Sequence, residues 1–156
     1  MTWKHRVMPF ARPFIRTHAR VSRGMTLGVR GIVFDEAGRV LLVRHTYMHG
    51  WHFPGGGVER GETAEQAMAR ELVEEAGVRV EGKPSLLSVH SSHPRFSGDH
   101  VLFYRIDRWS ACEATSRGEI EAVEWFAPDA PPKGITGGTR RRIEEALGLR
   151  DPDPFW

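Results

Sequence analysis

The stretch from Gly55 to Val78, GGGVERGETAEQAMARELVEEAGV, constrains this chain more than any other. It joins three glycines to a helix-forming segment with an unusual charge. Thr63 is a good N-cap, the Ala, Glu, Gln, Met, Arg and Leu residues after it favour helix, and Gly77 supplies a stop. The pattern predicts a helix over Ala64–Ala76. On it Glu71, Glu74 and Glu75 fall at i, i+3 and i+4, so three carboxylates share one face. Like charges so placed repel, which points to a cation among them. Hard oxygen ligands suit Mg²⁺ or Mn²⁺, and Mg²⁺ commonly combines one or two carboxylates with water and substrate phosphate. The glycines would let backbone groups approach such a ligand closely. The competing reading is an amphipathic helix with a merely solvated acidic face and a core stripe of Met68, Ala69, Leu72 and Ala76.

The wider pattern separates the two. From Gly56 the chain matches G-x5-E-x7-R-E-U-x-E-E-x-G-U without a gap, U being aliphatic, through Glu62, Arg70, Glu71, Leu72, Glu74, Glu75, Gly77 and Val78. In this it resembles the Nudix hydrolases. The resemblance implies an α/β fold, an α/β/α sandwich around a mixed β-sheet. It also implies Mg²⁺-dependent cleavage of a pyrophosphate bond, with Mn²⁺ as a substitute, and makes Glu71, Glu74 and Glu75 the metal-binding, catalytic carboxylates. Arg70 would pair with Glu62 or orient Glu71; a plain surface salt bridge, worth little, is the alternative. The entry Trp51-His-Phe-Pro54 before the glycines also resembles the family, in which a carbonyl of the glycine pair often binds metal, here that of Gly55. Members place the general base on the signature helix or on a later loop. Glu119, six residues before Trp125, resembles the loop Glu that reaches the metal in many of them, and Glu121 is the neighbouring alternative.

Taken in order, 156 residues suggest one domain with a real core. With 22 Lys and Arg against 20 Asp and Glu, the net charge of +2 demands no polyanionic partner. The single Cys112 and the lack of a long apolar run point to the cytoplasm, with no membrane association. Residues 1–24 form a basic arm, acid-free and carrying Lys4, Arg6, Arg12, Arg16, Arg20 and Arg23. Trp3, Phe10, Phe14 and Ile15 favour packing of that arm on the domain or a second subunit over binding nucleic acid, and many relatives dimerise. The Nudix domain would span 25–150, with a tail at 151–156. Strands are expected over Met25–Phe34 and Arg39–Arg44, joined as a hairpin by the turn at Asp35–Gly38, and over Pro84–Ser92, His100–Trp109 and Ala122–Phe126. A last helix is expected over Thr139–Leu147, with Arg140, Arg141 and Arg142 solvated or paired with Glu144 and Glu145. His90, His93 and His100 lack a fixed ligand spacing and read as hydrogen-bonded structural residues.

The group on the diphosphate is bound outside the signature, and Arg44, Tyr47, Trp51, Phe53 and Phe96 are its candidate contacts, the aromatic ones by stacking on a base. The Ser91–Asp99 loop, with Pro94, faintly resembles that of ADP-ribose-type members but lacks their Pro-Gly pair. The expected substrate is a nucleoside diphosphate linked to another moiety, ADP-ribose or a nucleotide sugar. The alternatives are a (d)NTP pyrophosphatase and a binding module without turnover.

Overall fold

The computed structural model describes residues 24–116 and 118–156; the basic arm, apart from Gly24, lies outside them. The elements in chain order are β1 (Thr26–Val33), β2 (Val40–His45), β3 (Trp51–His52), α1 (Ala64–Ala76), β4 (Val78–Val80), β5 (Ser85–Ser91), β6 (Asp99–Ile106), β7 (Trp109–Ala111), β8 (Ile120–Phe126) and α2 (Gly137–Ala146). The signature helix has the predicted bounds because both ends are set locally. Thr63 accepts a hydrogen bond from the Gln66 amide while the Gln66 side chain accepts one from the Thr63 amide, a reciprocal capping box. Gly77 closes the helix in the left-handed region at φ 63°.

The expected hairpin does not form. β1 pairs in parallel with β6, from Thr26 opposite Asp99 to Val33 opposite Ile106, and meets β2 only at the bridge between Phe34 and Val40. β5 runs antiparallel to β6, completing a mixed sheet ordered β1-β6-β5. β2 is the centre of an antiparallel sheet ordered β3-β2-β8, and β4 and β7 form a two-stranded ladder. The strand expected over His100–Trp109 is thus two strands, broken at Asp107 and Arg108. β3 and β4, too short for a period to register, went unpredicted.

Alternation along the strands sorts the core into two layers. Val29, Val33, Leu41, Tyr104 and Ile106 pack with Ala67, Met68 and Leu72 of α1. Ile32, Val40, Leu42 and Phe103 face the other way, with Phe53, Trp51 and Ile143 of α2. The result is the α/β/α layering of the Nudix fold, with α1 and α2 on opposite faces. Thr136 caps α2 two residues before the first turn was expected. Its arginines differ: Arg142 is fully buried against Glu145 and the Phe155 carbonyl, so solvation is excluded for it, Arg141 donates to the Trp156 carbonyl, and Arg140 is exposed. Residues 151–156 fold back on β5, where the Trp156 amide donates to the Ser91 carbonyl at 3.0 Å and the Ser91 amide to the Pro154 carbonyl at 2.8 Å. His90 is buried there, bonded to Ser88 and to the Asp153 carbonyl, a structural residue as expected.

The glycine turn before α1 is held against β1. The Val29 amide donates to the Gly56 carbonyl at 2.8 Å and the Gly31 amide to the Pro54 carbonyl at 3.0 Å. Gly55 has φ 142°, and a Cβ there would strike the Val29 carbonyl, whereas one at Gly57 would meet nothing. Gly55→Ala should therefore cost about 2 kcal/mol or more and Gly57→Ala about 0.5 kcal/mol or less, read by urea denaturation. Equal costs at the two positions would contradict this account of the turn.

Candidate active site

α1 positions the carboxylates. Its buried face consists of Ala67, Met68, Leu72 and, in the last turn, Glu75. A carboxylate buried at a helix C-terminus opposes both desolvation and the macrodipole. Glu75 is nonetheless held in place, accepting a 2.8 Å hydrogen bond from the Gly55 amide. Burial first, and then the charges of Glu71 and Glu119, outweigh that bond and the Arg30 charge and push its pKa up to about 7. His45 Nδ1 lies 3.7 Å from Glu75 Oε1. That contact would be an ion pair only with a protonated ring, and burial, with Arg30 and His52 nearby, lowers His45 to about 4, so the ring is neutral.

Arg70 organises the rest. Its Nε and Nη2 grip both oxygens of Glu62 at 2.8 and 3.1 Å, its Nη1 donates to Glu71 at 2.8 Å and to Glu74 at 3.3 Å, and Nη2 also reaches the Gly57 carbonyl at 3.1 Å. Both expected partners are present, and the alternative of a lone surface ion pair is excluded. The guanidinium holds Glu62 below the usual carboxylate range. Burial nevertheless carries Glu71 above that range, against the pull of Arg70. A Cβ on Gly56 would run into the Glu71 carboxylate, so the glycine makes room for it.

The loop carboxylates separate. Glu121 is committed to Arg44, which it binds through both oxygens at 3.0 and 3.2 Å. Glu119 is exposed, with its backbone carbonyl fixed by the Thr46 amide at 2.9 Å and its side chain only loosely held by Ser116 at 3.3 Å. Its charge acts on Glu75, His45 and Tyr47. Tyr47 also feels Glu75 and Glu71, which with burial raise its pKa and place the exposed ring beside the carboxylates.

A cavity of about 620 Å³ lies between β1, β3, the 92–99 loop and the start of α2; these carboxylates do not line it, but Arg30 and Tyr47, which interact with their charges, do. Tyr47, Phe53 and Phe96 line it, together with Arg30, Arg95 and Arg141. Two candidate contacts fall elsewhere. Trp51 is a core residue, packed edge-on against Phe126 and covered by the Arg44 guanidinium, 4.9 Å from its ring centre. Arg44, spent on Trp51 and Glu121, does not line the cavity. Phe53 is fully buried against Phe103, so it serves as floor of the cavity and core at once. No spacing in the sequence marks Arg30, His45 or Arg95, and Arg141 reads there only as solvated or paired with Glu144 or Glu145.

The oxygen donors at Glu71, Glu74, Glu75, Glu119 and the Gly55 carbonyl could hold Mg²⁺ or Mn²⁺, which prefer such ligands. Arg70 takes one oxygen each of Glu71 and Glu74, and Gly55 takes one of Glu75, so each carboxylate keeps a second. The buried charge of Glu75 beside Glu71 and Glu119 fits a cation, which would favour ionisation of all three. In this arrangement, among the described residues, no three acidic, His or Cys side chains stand in ligating geometry.

Comparison with known proteins agrees with the fold. The family profile described as NUDIX domain matches residues 24–150. A MutT-like protein of Streptomyces ambofaciens is 38% identical over 127 residues, covering 81% of this chain and 80% of that protein. An RNA pyrophosphohydrolase of Shewanella piezotolerans is 44% identical over 70 residues, 45% of this chain and 40% of that protein. The crystal structure of a MutT NUDIX hydrolase from Burkholderia pseudomallei superposes with a TM-score of 0.66 at 29% identity, covering 76% of this chain and 95% of that one. The fold is that of the Nudix hydrolases. The chain belongs to the Nudix family, as a Nudix pyrophosphohydrolase. Among the described residues no helix is long and apolar enough to cross a membrane.

The raised pKa of Glu75 has a signed consequence for stability. The folded state binds the proton more tightly than the unfolded state, so the contribution is favourable below about pH 4.5 and is lost as pH rises to about 7. In excess chelator, Glu75→Gln should raise stability at pH 8, by about 3 kcal/mol at most, and change little at pH 4.5. With Mg²⁺ added, the wild type should gain stability and the variant much less. Chemical denaturation at the two pH values checks both signs; a variant less stable than wild type at pH 8 in chelator would contradict the buried-charge account.

Proposed function

We propose that this chain hydrolyses the pyrophosphate bond of a nucleoside diphosphate linked to another group, of the ADP-ribose or nucleotide-sugar kind, with Mg²⁺ as its metal. Glu75 carries the reading. A carboxylate buried beside two others is costly unless a cation meets it, and Arg30, whose charge reaches Glu75, lines a cavity of nucleotide size with two more arginines and several aromatic rings. Mg²⁺, when bound, neutralises phosphate charge, activates water and stabilises the leaving oxygen. Glu71, Glu74 and Glu75 are its proposed ligands, with the Gly55 carbonyl and Glu119. Arg70 sets the rotamers of Glu71 and Glu74 and locks the Glu62 loop to the helix, which keeps the donors in place without moving at the moment of reaction.

Glu119 is the proposed general base. Its side chain is exposed and loosely held, free to take a proton from water, whereas Glu121 is engaged by Arg44. Tyr47 and Phe96, both exposed at the cavity, are the proposed stacking surfaces for the base. The lone Cys112 supports a cytoplasmic location in this reading. A second reading, a (d)NTP pyrophosphatase, draws support from the three arginines of the cavity, which suit a longer polyphosphate. The intact set of Glu62, Arg70, Glu71, Glu74 and Glu75 speaks against a binding module, since a chain without turnover would be free to lose such self-repelling carboxylates.

The test is product release from ADP-ribose, nucleoside diphosphate sugars, dinucleoside polyphosphates, (d)NTPs and 5′-triphosphorylated RNA, with Mg²⁺ and with EDTA. Metal-dependent cleavage of the diphosphate-linked class is expected, and preference for (d)NTPs would favour the second reading. Turnover should fall about a hundredfold or more in Glu75→Gln and in Glu119→Gln, with Glu121→Gln close to wild type. No metal-dependent product from any of these compounds would overturn the proposal.

A further inference from the structure

Arg30 lines the 620 Å³ cavity, and its charge also acts on Glu71 and Glu75 of the carboxylate cluster. Gly31 faces Met68 and Ile106 on the α1 side, so strand alternation turns Arg30 toward α2, where Ile32 and Phe103 also point. β1 is pinned at this point by the hydrogen bonds of Val29 and Gly31 to the glycine turn. Arg30 Nη1 is buried and has no hydrogen-bond partner among the described residues. An unpaired buried donor on a charged group is costly, so a site that retains one is built for a missing acceptor. The charge of Arg30 reaches Glu71, Glu75, His45, His52 and Tyr47. The nearby carboxylates are engaged elsewhere, Glu71 and Glu74 by Arg70 and Glu75 by the Gly55 amide.

A divalent cation held by those carboxylates and the guanidinium of Arg30 would repel each other across a narrow gap. An anion between them attracts both, and a planar guanidinium suits the paired non-bridging oxygens of a phosphate. We infer that Arg30 binds the phosphate on the cavity side of the carboxylate cluster and thereby couples binding of the metal to binding of the diphosphate. The inference rests on the reading of the site as a nucleoside diphosphate hydrolase. Without nucleotide Arg30 works against the metal; with it the two clamp one diphosphate. The other arginines of the cavity, Arg95 and Arg141, lie beyond this clamp, and Arg141 is already bonded to the Trp156 carbonyl at 2.8 Å.

The test measures binding, not turnover. Mn²⁺ alone is titrated by paramagnetic resonance of the free ion, and ADP is titrated by calorimetry in saturating Mn²⁺, for wild type, Arg30→Gln and Arg30→Lys. Arg30→Gln should bind Mn²⁺ at least as tightly as wild type, and ADP about ten- to a hundredfold more weakly. Arg30→Lys, which keeps the charge and loses the fork, should bind ADP about three- to tenfold more weakly with Mn²⁺ affinity unchanged, and it decides the matter should the Gln variant not fold. Equal losses of Mn²⁺ and ADP affinity would mark Arg30 as structural and overturn the inference, as would unchanged ADP affinity. A wild-type protein that binds neither Mn²⁺ nor ADP would instead remove the hydrolase reading, and this inference with it.

Discussion

The 2.8 Å hydrogen bond from the Gly55 amide to the Glu75 carboxylate joins the three parts on which the site depends. On one side Glu75 belongs to the buried face of α1, fixed by Met68 and Leu72 in the core. On the other, Gly55 belongs to a turn whose neighbours Pro54 and Gly56 give their carbonyls to β1. Those bonds leave the Gly55 carbonyl, alone of the three, with no donor among the described residues. The same turn puts Gly56 under Glu71 and the Gly57 carbonyl under Arg70. A side chain at Gly55 or Gly56 would break this arrangement by simple collision. The glycines, the helix and the first strand are therefore one mechanical unit.

Two arginines then divide the electrostatic work. Arg70 is fully employed, with hydrogen bonds to Glu62, Glu71, Glu74 and Gly57, and it compensates most of the charge that α1 gathers on one face. It does not reach Glu75, which burial keeps hard to ionise. Arg30 stands on the far side with a nitrogen unused. The cluster is thus balanced enough to fold and unbalanced at the place where a metal and a phosphate would enter, a distribution that favours binding over static stability.

What could be read from the sequence follows from how local each signal is. α1 was legible to the residue because its cap, its core stripe and its glycine stop lie within the helix itself. The roles suggested for Arg70 and Glu62 came from the resemblance, and their partners sit within one loop and two helical turns. β1 misled, since the turn at Asp35–Gly38 reads as a hairpin while the true partner of Thr26 is Asp99, far along the chain. Composition cannot encode such a pairing. The aromatic candidates divided for a related reason: Trp51 and Tyr47 look alike as stacking residues, and only strand pairing with β2 turns Trp51 into the core and leaves Tyr47 outside. Arg30 was silent because a cation on a strand is usually a solvated one. The resemblance set Glu119 ahead of Glu121, and the bond that engages Glu121 comes from Arg44 on a separate strand, a pairing no local signal carries.

The central claim, that the carboxylate face of α1 and the glycine turn form one metal site, is tested most directly by adding Mn²⁺ in substoichiometric steps to ¹⁵N-labelled protein and following paramagnetic broadening of its amide signals. The account predicts that Gly55, Gly56, Glu71, Glu74, Glu75 and Glu119 broaden first, ahead of acidic residues outside the cluster such as Glu65, which pairs with Lys83 on the surface. Broadening that begins at such surface carboxylates, or spreads evenly over the acidic residues, would contradict it.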